Sequence, residues 1–415
     1  MWLDEKRKTD GAEGLWRIHD NLYDLTDFIR NHPGGQFWLE ATKGIDITEA
    51  FESHHISDRP EKILKKYYVR KAKTPRSSPY TFENDGFYRT LKRNVRKELK
   101  CISRKNGSSN IIADSLLIAT FAFAILANMH WSSGFAVASG ICFGFTLVAS
   151  HNYTHQKDNF RMYYSDICMM QSREWRILHV LSHHLFTNTV LDSQVYFSEP
   201  FVLFYPQRKP IFVRYGTWVY TLLLLWPNLL HVGVLLRICQ LLFYGRVKQI
   251  GFGDLLPFIL PLVMYMFNSD SIISTIGMWL VIETIGSLTF SFLGYTTGHF
   301  HPNIFIDGDK PRAKNDRDWG IIQLDCVSDR REILGNKFLV LVSFGDHALH
   351  HLFPTLDHAI LHELYPIVYA TMKDFGVDIW MTNHPQMLVG YFKQLARTQP
   401  NLKYPNSLEK NNRKS

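Results

Sequence analysis

The sequence predicts a multidomain chain in which a small α+β domain is followed by an all-α domain that crosses a membrane several times. Three observations predict this division. Short segments of alternating apolar and polar residues lie near the N-terminus, long apolar runs lie between residues 111 and 300, and histidine clusters flank those runs. Because the apolar residues, 46% of the chain, are concentrated in its middle, the two ends are expected to face water.

The charge and cysteine content exclude some classes of protein. The chain has 46 Lys and Arg against 38 Asp and Glu, a formal charge of +8. No basic stripe with interleaved aromatic residues occurs, so the excess indicates a membrane surface and not nucleic acid. The five cysteines form no C-x-x-C pair, which argues against a disulfide framework and a thiolate metal site.

The N-terminal region contains two predicted strands, at 16–18 and 22–25, on either side of a turn. A short helix begins at Thr26 and ends at the sequence HPGG, residues 32–35. An acidic helical segment follows, and it ends in the pair His54-His55. This order of elements places one histidine and then two more on successive short segments of a small domain.

The span from Trp16 to Val69 resembles a cytochrome b5 domain, a small α+β fold that holds haem b between two histidines. The resemblance implies that His32 is the first axial ligand and that His55, 23 positions further on, is the second, with His54 as the alternate. Two neutral imidazoles on opposite sides leave no open position on the iron, which suits electron transfer and not oxygen binding.

Charged segments lie beside and after this domain. Four acidic residues form a rim that is predicted either to steer a basic reductase or to be an ordinary solvated surface: Asp46, Glu49, Glu52 and Asp58. Residues 71–85 have the composition of a tether, so the first domain is assigned to 1–75. A linker with a basic amphipathic helix, predicted to lie on a membrane face, occupies 76–110, and the membrane domain occupies 111–400.

The apolar middle of the chain predicts about four membrane spans, since a span needs roughly 20 residues. The predicted spans, taken with their flanks, are 111–128, 135–150, 255–267 and 272–297. The run 213–243 is interrupted by Pro227 and is predicted to be a half-buried or interfacial helix. Basic residues precede the first span and follow the second, so the positive-inside rule places both ends of that hairpin in the cytosol.

Three histidine boxes flank these runs, with the patterns H-x-x-x-H, H-x-x-x-H-H and H-x-x-H-H. They comprise His151, His155, His179, His183, His184, His347, His350 and His351. The three boxes together span only 16 residues. Because the chain has 19 histidines among 415 residues, chance predicts fewer than one histidine in 16 positions. Imidazoles in this number, without cysteine, exceed what one tetrahedral zinc ion needs and favour two redox-active metal ions such as iron.

The boxes and their order resemble the membrane fatty-acid desaturase superfamily, and the fusion with a haem module resembles the cytochrome b5-related family of insects. The resemblance implies that the eight histidines, with a ninth ligand at the end of the last span, hold two non-haem iron ions at the cytosolic ends of the spans. His299 is the predicted ninth ligand, because Tyr295 one helical turn earlier could orient a metal-bound water. His301 is the alternate.

No further ligands are assigned from the sequence. Five carboxylates near the boxes could fix histidine tautomers, although single carboxylates in loops are usually solvated: Asp192, Asp307, Asp309, Asp325 and Glu332. The remaining histidines, His358 among them, are expected to be surface or core residues.

The resemblance implies a membrane-bound lipid desaturase of the endoplasmic reticulum, with the haem domain and the boxes in the cytosol. A cytosolic NADH-dependent cytochrome b5 reductase would reduce the haem, and the di-iron centre would use O2 to introduce a double bond into a fatty-acyl chain. Two departures leave the substrate open. His347 stands where front-end desaturases usually have Gln, and three residues separate His179 from His183 where many acyl-CoA desaturases have two.

Two other functions fit the same residues. The first is a lipid hydroxylase of the same superfamily, since the same iron centre can add oxygen to the carbon instead of removing a second hydrogen. The second is a non-catalytic membrane haem protein that retains a desaturase-like fold.

Overall fold

The computed structural model describes residues 2–102, 107–243, 250–268 and 271–403. Its α-helices in this part of the chain are α1 Trp2–Thr9, α2 Gln36–Thr42, α3 Thr48–His54, α4 Arg59–Leu64, α5 Phe87–Glu98, α6 Ser108–His130, α7 Ser133–Thr154, α8 Tyr164–Ile167, α9 Ser172–Trp175, α10 Ser193–Tyr196, α11 Thr217–Tyr220, α12 Trp226–Phe243, α13 Ile259–Phe267, α14 Ile272–Tyr295, α15 Trp319–Cys326, α16 Lys337–Val342, α17 His347–Leu352, α18 His358–Leu361, α19 Tyr365–Phe375 and α20 His384–Ala396.

The strands are β1 Trp16–Ile18, β2 Asn21–Tyr23, β3 Tyr68–Lys71, β4 Ser328–Arg330 and β5 Trp380–Thr382. Three segments wind more widely than an α-helix, as π-helices: Arg176–His183, Phe212–Gly216 and Thr221–Leu225. Short 3-10 turns, including Thr26–Asn31 ahead of the HPGG sequence, complete the connections.

The N-terminal domain contains an antiparallel sheet in the order β1-β2-β3. Trp16 pairs with Tyr23 across the first two strands, which confirms the predicted hairpin. The sheet and α2 to α4 enclose a core that includes Trp16, Leu39 and Leu64. Helix α1, which the sequence did not predict, lies against the second domain, where Trp2 Nε1 donates a hydrogen bond to the carbonyl oxygen of Leu191 at 2.8 Å.

Most of the predicted acidic rim is buried and paired within the chain. Asp46 and Glu49 accept hydrogen bonds from Arg76, at 2.8 and 2.6 Å, so the predicted tether is fixed to the domain here. Glu52 is paired with Lys92 on α5. The prediction that these carboxylates are free to steer a reductase or to be solvated is therefore wrong for all but Asp58, which is exposed.

The basic helix α5 has its apolar face buried in the protein. Tyr88, Leu91 and Val95 belong to the same core as Leu352 of the third histidine box segment, and the Tyr88 hydroxyl donates to the Leu352 carbonyl oxygen at 2.9 Å. The helix runs from Phe87 to Glu98, within the predicted linker region, and residues 103–106 lie outside the described part of the chain. Its position on a membrane face stays a prediction.

Four described helices are long and apolar enough to cross a membrane: Ser108–His130, Ser133–Thr154, Phe212–Phe243 and Ile272–Tyr295. The number agrees with the prediction, but the third member differs. The predicted span 255–267 lies in a shorter apolar stretch, Phe252–Phe267, and the run predicted to be interfacial is the long helix. Pro227 does not end that helix, which continues from Phe212 to Phe243 and winds as a π-helix over Thr221–Leu225, just before the proline.

Small residues bring α7 and α14 into close contact. A Cβ atom on Gly140 would lie 2.5 Å from Cβ of Ile285, and one on Gly144 would lie 2.6 Å from Cβ of Thr289. Small residues spaced four apart are a common basis for helix packing in membranes, where they let backbones approach. This contact fixes the distance between the C-terminal ends of the two helices. His155 directly follows α7, and His299 lies shortly after the end of α14.

Candidate metal centres

The two predicted haem ligands face each other in the N-terminal domain. The ring centroids of His32 and His55 are 6.3 Å apart, and the planes are nearly perpendicular, at 79°. The Nδ1 atoms lie 2.9 Å from the carbonyl oxygen of Gly35 and 3.0 Å from that of Phe51, respectively. When each Nδ1–H donates to its carbonyl, Nε2 is left for a metal.

This separation fits one iron between the rings, since two metal–nitrogen bonds of about 2.0 Å each and two half-rings add up to about this distance. Burial lowers the pKa of His55 to about 4, which keeps its imidazole neutral as ligation requires. Burial also lowers the pKa of the alternate ligand, His54, to about 4, and the Nδ1 of this ring lies 2.9 Å from the carbonyl oxygen of Ala50. The His54 ring is 6.0 Å from that of Trp38.

The nine predicted di-iron ligands form two adjoining groups, and all nine are buried. The first, here called the five-histidine group, consists of His151, His155, His179, His184 and His350. Its Nε2 atoms converge: those of His179, His155 and His350 lie 2.7, 3.0 and 3.2 Å from Nε2 of His151. Nitrogens that share a metal at about 2.0–2.1 Å lie roughly 3 Å apart, so the spacing fits one ion.

The four-histidine group consists of His183, His299, His347 and His351. Nε2 of His299 lies 3.1 Å from Nε2 of His183 and 2.6 Å from Nε2 of His347. The rings of His351 and His184 are stacked at 4.0 Å, which joins this group to the five-histidine group. His347, the residue that departs from the front-end pattern, therefore converges on the same point as the other members.

The local structure of the second box explains its spacing. This box lies on the π-helix Arg176–His183, where the His184 N–H donates to the carbonyl oxygen of His179, five residues earlier, at 2.9 Å. The wider turn brings His179 and the pair that follows it to one side of the helix, although three residues intervene.

The third box lies on α17, which is capped by a carboxylate from another segment. The first backbone N–H groups of this helix, from His347 and Ala348, donate to the carboxylate of Asp329. The negative charge at this end also complements the dipole of the short helix. Asp329 therefore holds the start of the third box in place.

One aspartate and two glutamines orient histidine rings through Nδ1, and the sequence assigned none of them. Asp192 Oδ2 lies 2.7 Å from Nδ1 of His183, and Gln194 Oε1 lies 2.8 Å from Nδ1 of His179. Gln323 Oε1 lies 3.1 Å from Nδ1 of His351. Such partners fix the tautomer and direct Nε2 towards a metal. Proximity to the second box was the only available signal for Asp192 and Gln194, and none pointed to Gln323.

The other predicted carboxylates have different partners. Asp309 pairs with Arg397 at 2.8 Å and Asp325 pairs with Arg312. Asp307 accepts a hydrogen bond from the backbone N–H of Val190, and Glu332 accepts one from that of His384.

The structure places His299, and not its alternate His301, in the four-histidine group. The reason differs from the predicted one. Helix α14 ends at Tyr295, so a shared helical face does not connect that residue to His299, and the Tyr295 hydroxyl lies 3.3 Å from Ser198 Oγ. His299 is held by its Nδ1, 3.0 Å from the carbonyl oxygen of Cys326. The ring of His301 instead packs against Trp380, with centroids 4.5 Å apart.

His358 adds a contact that the sequence did not predict. It is buried, and its Nε2 lies 3.2 Å from Nδ1 of His350, so it is placed to orient that ring. The cluster as a whole has the electrostatics of a metal site. Burial, followed by the charges of neighbouring imidazoles, lowers the pKa values of His184 and His351 well below the ordinary range. Neutral imidazoles with converging Nε2 atoms fit cations better than they fit one another.

Fold and sites together define a class of protein: a membrane protein with a two-histidine domain docked beside a nine-histidine centre. Residues 3–73 match the family described as cytochrome b5-like haem/steroid binding domain, and residues 127–383 match the fatty acid desaturase family. The chain belongs to the fatty acid desaturase family and carries an N-terminal cytochrome b5-like domain. This confirms the predicted fusion and makes the chain an oxidoreductase that acts on fatty-acyl chains.

Individual relatives cover nearly the whole chain. A cytochrome b5-related protein of Drosophila melanogaster is 39% identical over 97% of this chain and 93% of its own length. A probable Delta(5) fatty acid desaturase C of Dictyostelium discoideum is 24% identical over 91% of this chain and 90% of its own length. An acyl-lipid (8-3)-desaturase of Mortierella alpina is 23% identical over 87% of this chain and 88% of its own length. No solved structure matches the chain.

Proposed function

We propose that this protein is a lipid desaturase in which the N-terminal domain delivers electrons from haem b to two non-haem iron ions held by the nine clustered histidines. The observation that carries the proposal is the convergence of the nine buried imidazoles into a group of five and a group of four. When bound, the two irons would activate O2 and remove two hydrogens from an acyl chain, leaving a double bond.

The protein's own residues would hold and orient these ions. The five-histidine and four-histidine groups would each take one iron, and His32 and His55 would take the haem from opposite sides. Asp192 and Gln194 would keep Nε2 of one ring in each group directed at its ion, since each accepts from the opposite ring nitrogen. Such support keeps ligand positions fixed while the charge of the site changes.

An acyl chain would approach the five-histidine group along aromatic side chains. The Trp175 ring is stacked on that of His179 with centroids 4.6 Å apart, and the Phe344 ring lies 4.9 Å from that of His151. Phe290 of α14 packs against both Trp175 and Phe344. These rings belong to one apolar core with residues of α7 and α14, and they would keep water away from the oxidising site.

The partners and location follow from the same proposal. A cytosolic NADH-dependent cytochrome b5 reductase would reduce the haem, and the endoplasmic reticulum membrane would hold the four spans. The basic residues before α6 and after α7, and the connector between them that lacks Lys and Arg, support a cytosolic position for the haem domain and the histidine boxes.

The proposal is tested by expression in a desaturase-deficient microsomal host with mass analysis of the lipids across a broad substrate panel. The expected product is lighter than its substrate by two hydrogens, and the His184→Ala variant, which lacks one clustered imidazole, should not make it. A product that is heavier by one oxygen would identify a hydroxylase instead.

Metal analysis of the purified protein provides the second measurement. The proposal requires about three irons per chain, one of them in haem. One haem iron alone, with the protein folded and grown in sufficient iron, would favour a non-catalytic membrane haem protein. Unchanged lipids from a fully metallated protein would count against catalysis.

A further inference from the structure

One buried arginine of the membrane domain connects the segments of two histidine boxes. Arg176 begins the π-helix that bears the second box, three residues before His179. Its Nε donates a hydrogen bond to the carbonyl oxygen of Thr154 at 3.0 Å, and its Nη2 donates one to that of Gln156 at 3.2 Å. These two residues flank His155 of the first box. The guanidinium therefore joins the two boxes that supply four members of the five-histidine group.

The same guanidinium contacts the N-terminal domain. It lies 4.6 Å from the centre of the Trp38 ring, and Trp38 Nε1 donates to the carbonyl oxygen of Gly34 at 3.1 Å. Gly34 belongs to the HPGG segment, two residues after the candidate haem ligand His32. Trp38 also packs against the apolar core of the membrane domain. A cation beside an aromatic ring is attracted by the charge distribution of the ring, most strongly where water is excluded, so this contact favours docking of the two domains.

Asp158 completes the interface on the side of the membrane domain. Its carboxylate pairs with Arg176 at 2.6 Å, and its backbone N–H donates to the carbonyl oxygen of Gly34 at 3.4 Å. A Cβ atom on Gly35 would overlap this carboxylate, so the second glycine of the HPGG segment allows the domains to approach. Because Arg176 is buried, Asp158 also supplies the counter-charge that a cation out of water requires.

We propose that Arg176 is a positioning residue that fixes the docked haem domain to the boxes of the five-histidine group, and that it acts through Trp38. The inference rests on the proposed function for the redox step, whereas the docking contact does not depend on it. In that step one ferrous haem iron becomes ferric and one ferric non-haem iron becomes ferrous. Arg176 exchanges no electron or proton in this step and holds the two domains at one separation.

The test measures docking and electron transfer in the full-length protein with haem and both irons bound. Hydrogen exchange of residues 156–160, which include the N–H of Asp158, reports docking. Reoxidation of the haem after photochemical reduction without oxygen, followed by absorbance, reports transfer. Arg176→Gln and Trp38→Leu should each speed exchange and slow reoxidation by about tenfold, as the loss of a desolvated cation–π contact would. Trp38→Phe, which keeps an aromatic ring, should restore most of both.

A double-mutant cycle distinguishes one shared contact from two unrelated defects. If Arg176 acts through Trp38, the protein with both substitutions should stay about tenfold slower, whereas independent effects would multiply to about a hundredfold. A hundredfold loss overturns the proposal. Unchanged exchange and reoxidation in Trp38→Leu overturn it as well, and this variant tests docking even where Arg176→Gln fails to bind iron, because Trp38 lies outside the histidine boxes.

A matched control and the unsubstituted protein separate the remaining outcomes. Arg214→Gln removes an arginine of the membrane domain whose Nε donates to the carbonyl oxygen of Ala396, and it should match the unsubstituted protein in both measurements. Equal changes in this control would show general loosening and overturn the assignment to Arg176. Absence of haem reoxidation in the iron-loaded protein without substitutions would instead contradict the proposed function, and hydrogen exchange would still decide whether Arg176 and Trp38 hold the domains together.

Discussion

The two histidine sites of this protein are assembled by different kinds of contact. The rings of His32 and His55 are each oriented by a backbone carbonyl within four residues in the chain, and both lie in one small domain. The nine clustered histidines instead come from four segments between His151 and His351, and their positions depend on the packing of α7 against α14. The first site is therefore built by contacts within a short stretch of the chain, and the second by contacts between segments that are distant in the sequence.

This difference implies that the two sites should fail independently. The haem pair needs only the fold of its own domain, whereas the nine-histidine centre needs helices that a membrane holds together. The rings that join its two groups, His184 and His351, make each group depend on the other. Removing one clustered imidazole is therefore expected to affect both irons and to leave the haem in place.

The largest effect is expected from His184→Ala. This ring belongs to the five-histidine group and is stacked on the four-histidine group, so its loss removes a ligand and a contact between the groups. We expect product formation to disappear and the ratio of total iron to haem to fall towards about one, with the haem absorbance unchanged. A parallel loss of haem would mean that the two sites do not form independently.

His55→Ala should have the reverse effect. Without one of the two facing rings the domain should lose its six-coordinate haem spectrum, while the two non-haem irons remain bound. His54→Ala is the matched control, and it should keep the haem because His32 and His55 already face each other at the distance that one iron requires. Absorbance and iron analysis on the same preparations check both statements. Retention of haem in His55→Ala with loss in His54→Ala would reverse the ligand assignment.

Much of both sites could be predicted from the sequence because histidine is rare and was found at high local density. The boxes and the HPGG sequence name individual residues without any knowledge of the fold. The division of the nine clustered histidines into five and four could not be predicted, since neighbours such as His183 and His184 fall into different groups. Which group each ring joins depends on the π-helical turn at Arg176–His183 and on the packing around it.

Two wrong predictions show what a local sequence pattern does not reveal. Glu49 and Glu52 look like solvated acids until Arg76 and Lys92 are found beside them. Pro227 looks like a helix break, yet the helix Phe212–Phe243 continues through it, after a π-helical segment at Thr221–Leu225. The first prediction failed because the partners are distant in the sequence, and the second because the local winding of the helix is not visible in the sequence.

A smaller effect is expected from the side chains that orient the rings. Asp192→Asn weakens the acceptor for Nδ1 of His183 in the four-histidine group, and Gln194→Leu removes the acceptor for Nδ1 of His179 in the five-histidine group. Each change should reduce iron affinity or product formation by about 10–100-fold, as the loss of a hydrogen-bond partner of a metal ligand usually does. Titration of the metal-free protein with ferrous iron should show one weakened site in each variant. Equal weakening of both sites by either change would argue against separate groups.

The smallest effect is expected at the interface between the domains, at Glu52. This buried carboxylate accepts from Lys92 and Arg89 of α5 and lies 2.8 Å from Nε2 of His19. Glu52→Gln leaves these cations without their counter-charge, which should loosen the docked domain without removing the haem. Because the linker holds the domain at a high local concentration, we expect product formation to fall by only the factor of roughly 5–30 that 1–2 kcal/mol represents.

The pH dependence of docking provides the most direct test of the role of Glu52. Burial alone would raise the pKa of Glu52, but the hydrogen bond with His19, the charge of Lys92 and the hydrogen bonds from Arg89 and Lys92 lower this pKa well below the usual 4.5. A carboxylate with a lowered pKa stabilises the docked state above its ordinary pKa and loses that contribution as the pH falls through the lowered value. Protease cleavage of residues 71–79 should therefore increase on acidification in the unsubstituted protein and depend less on pH in Glu52→Gln. Asp58→Asn, at an exposed carboxylate of the same domain, should behave like the unsubstituted protein, and a matching response in both variants would place the titrating group elsewhere.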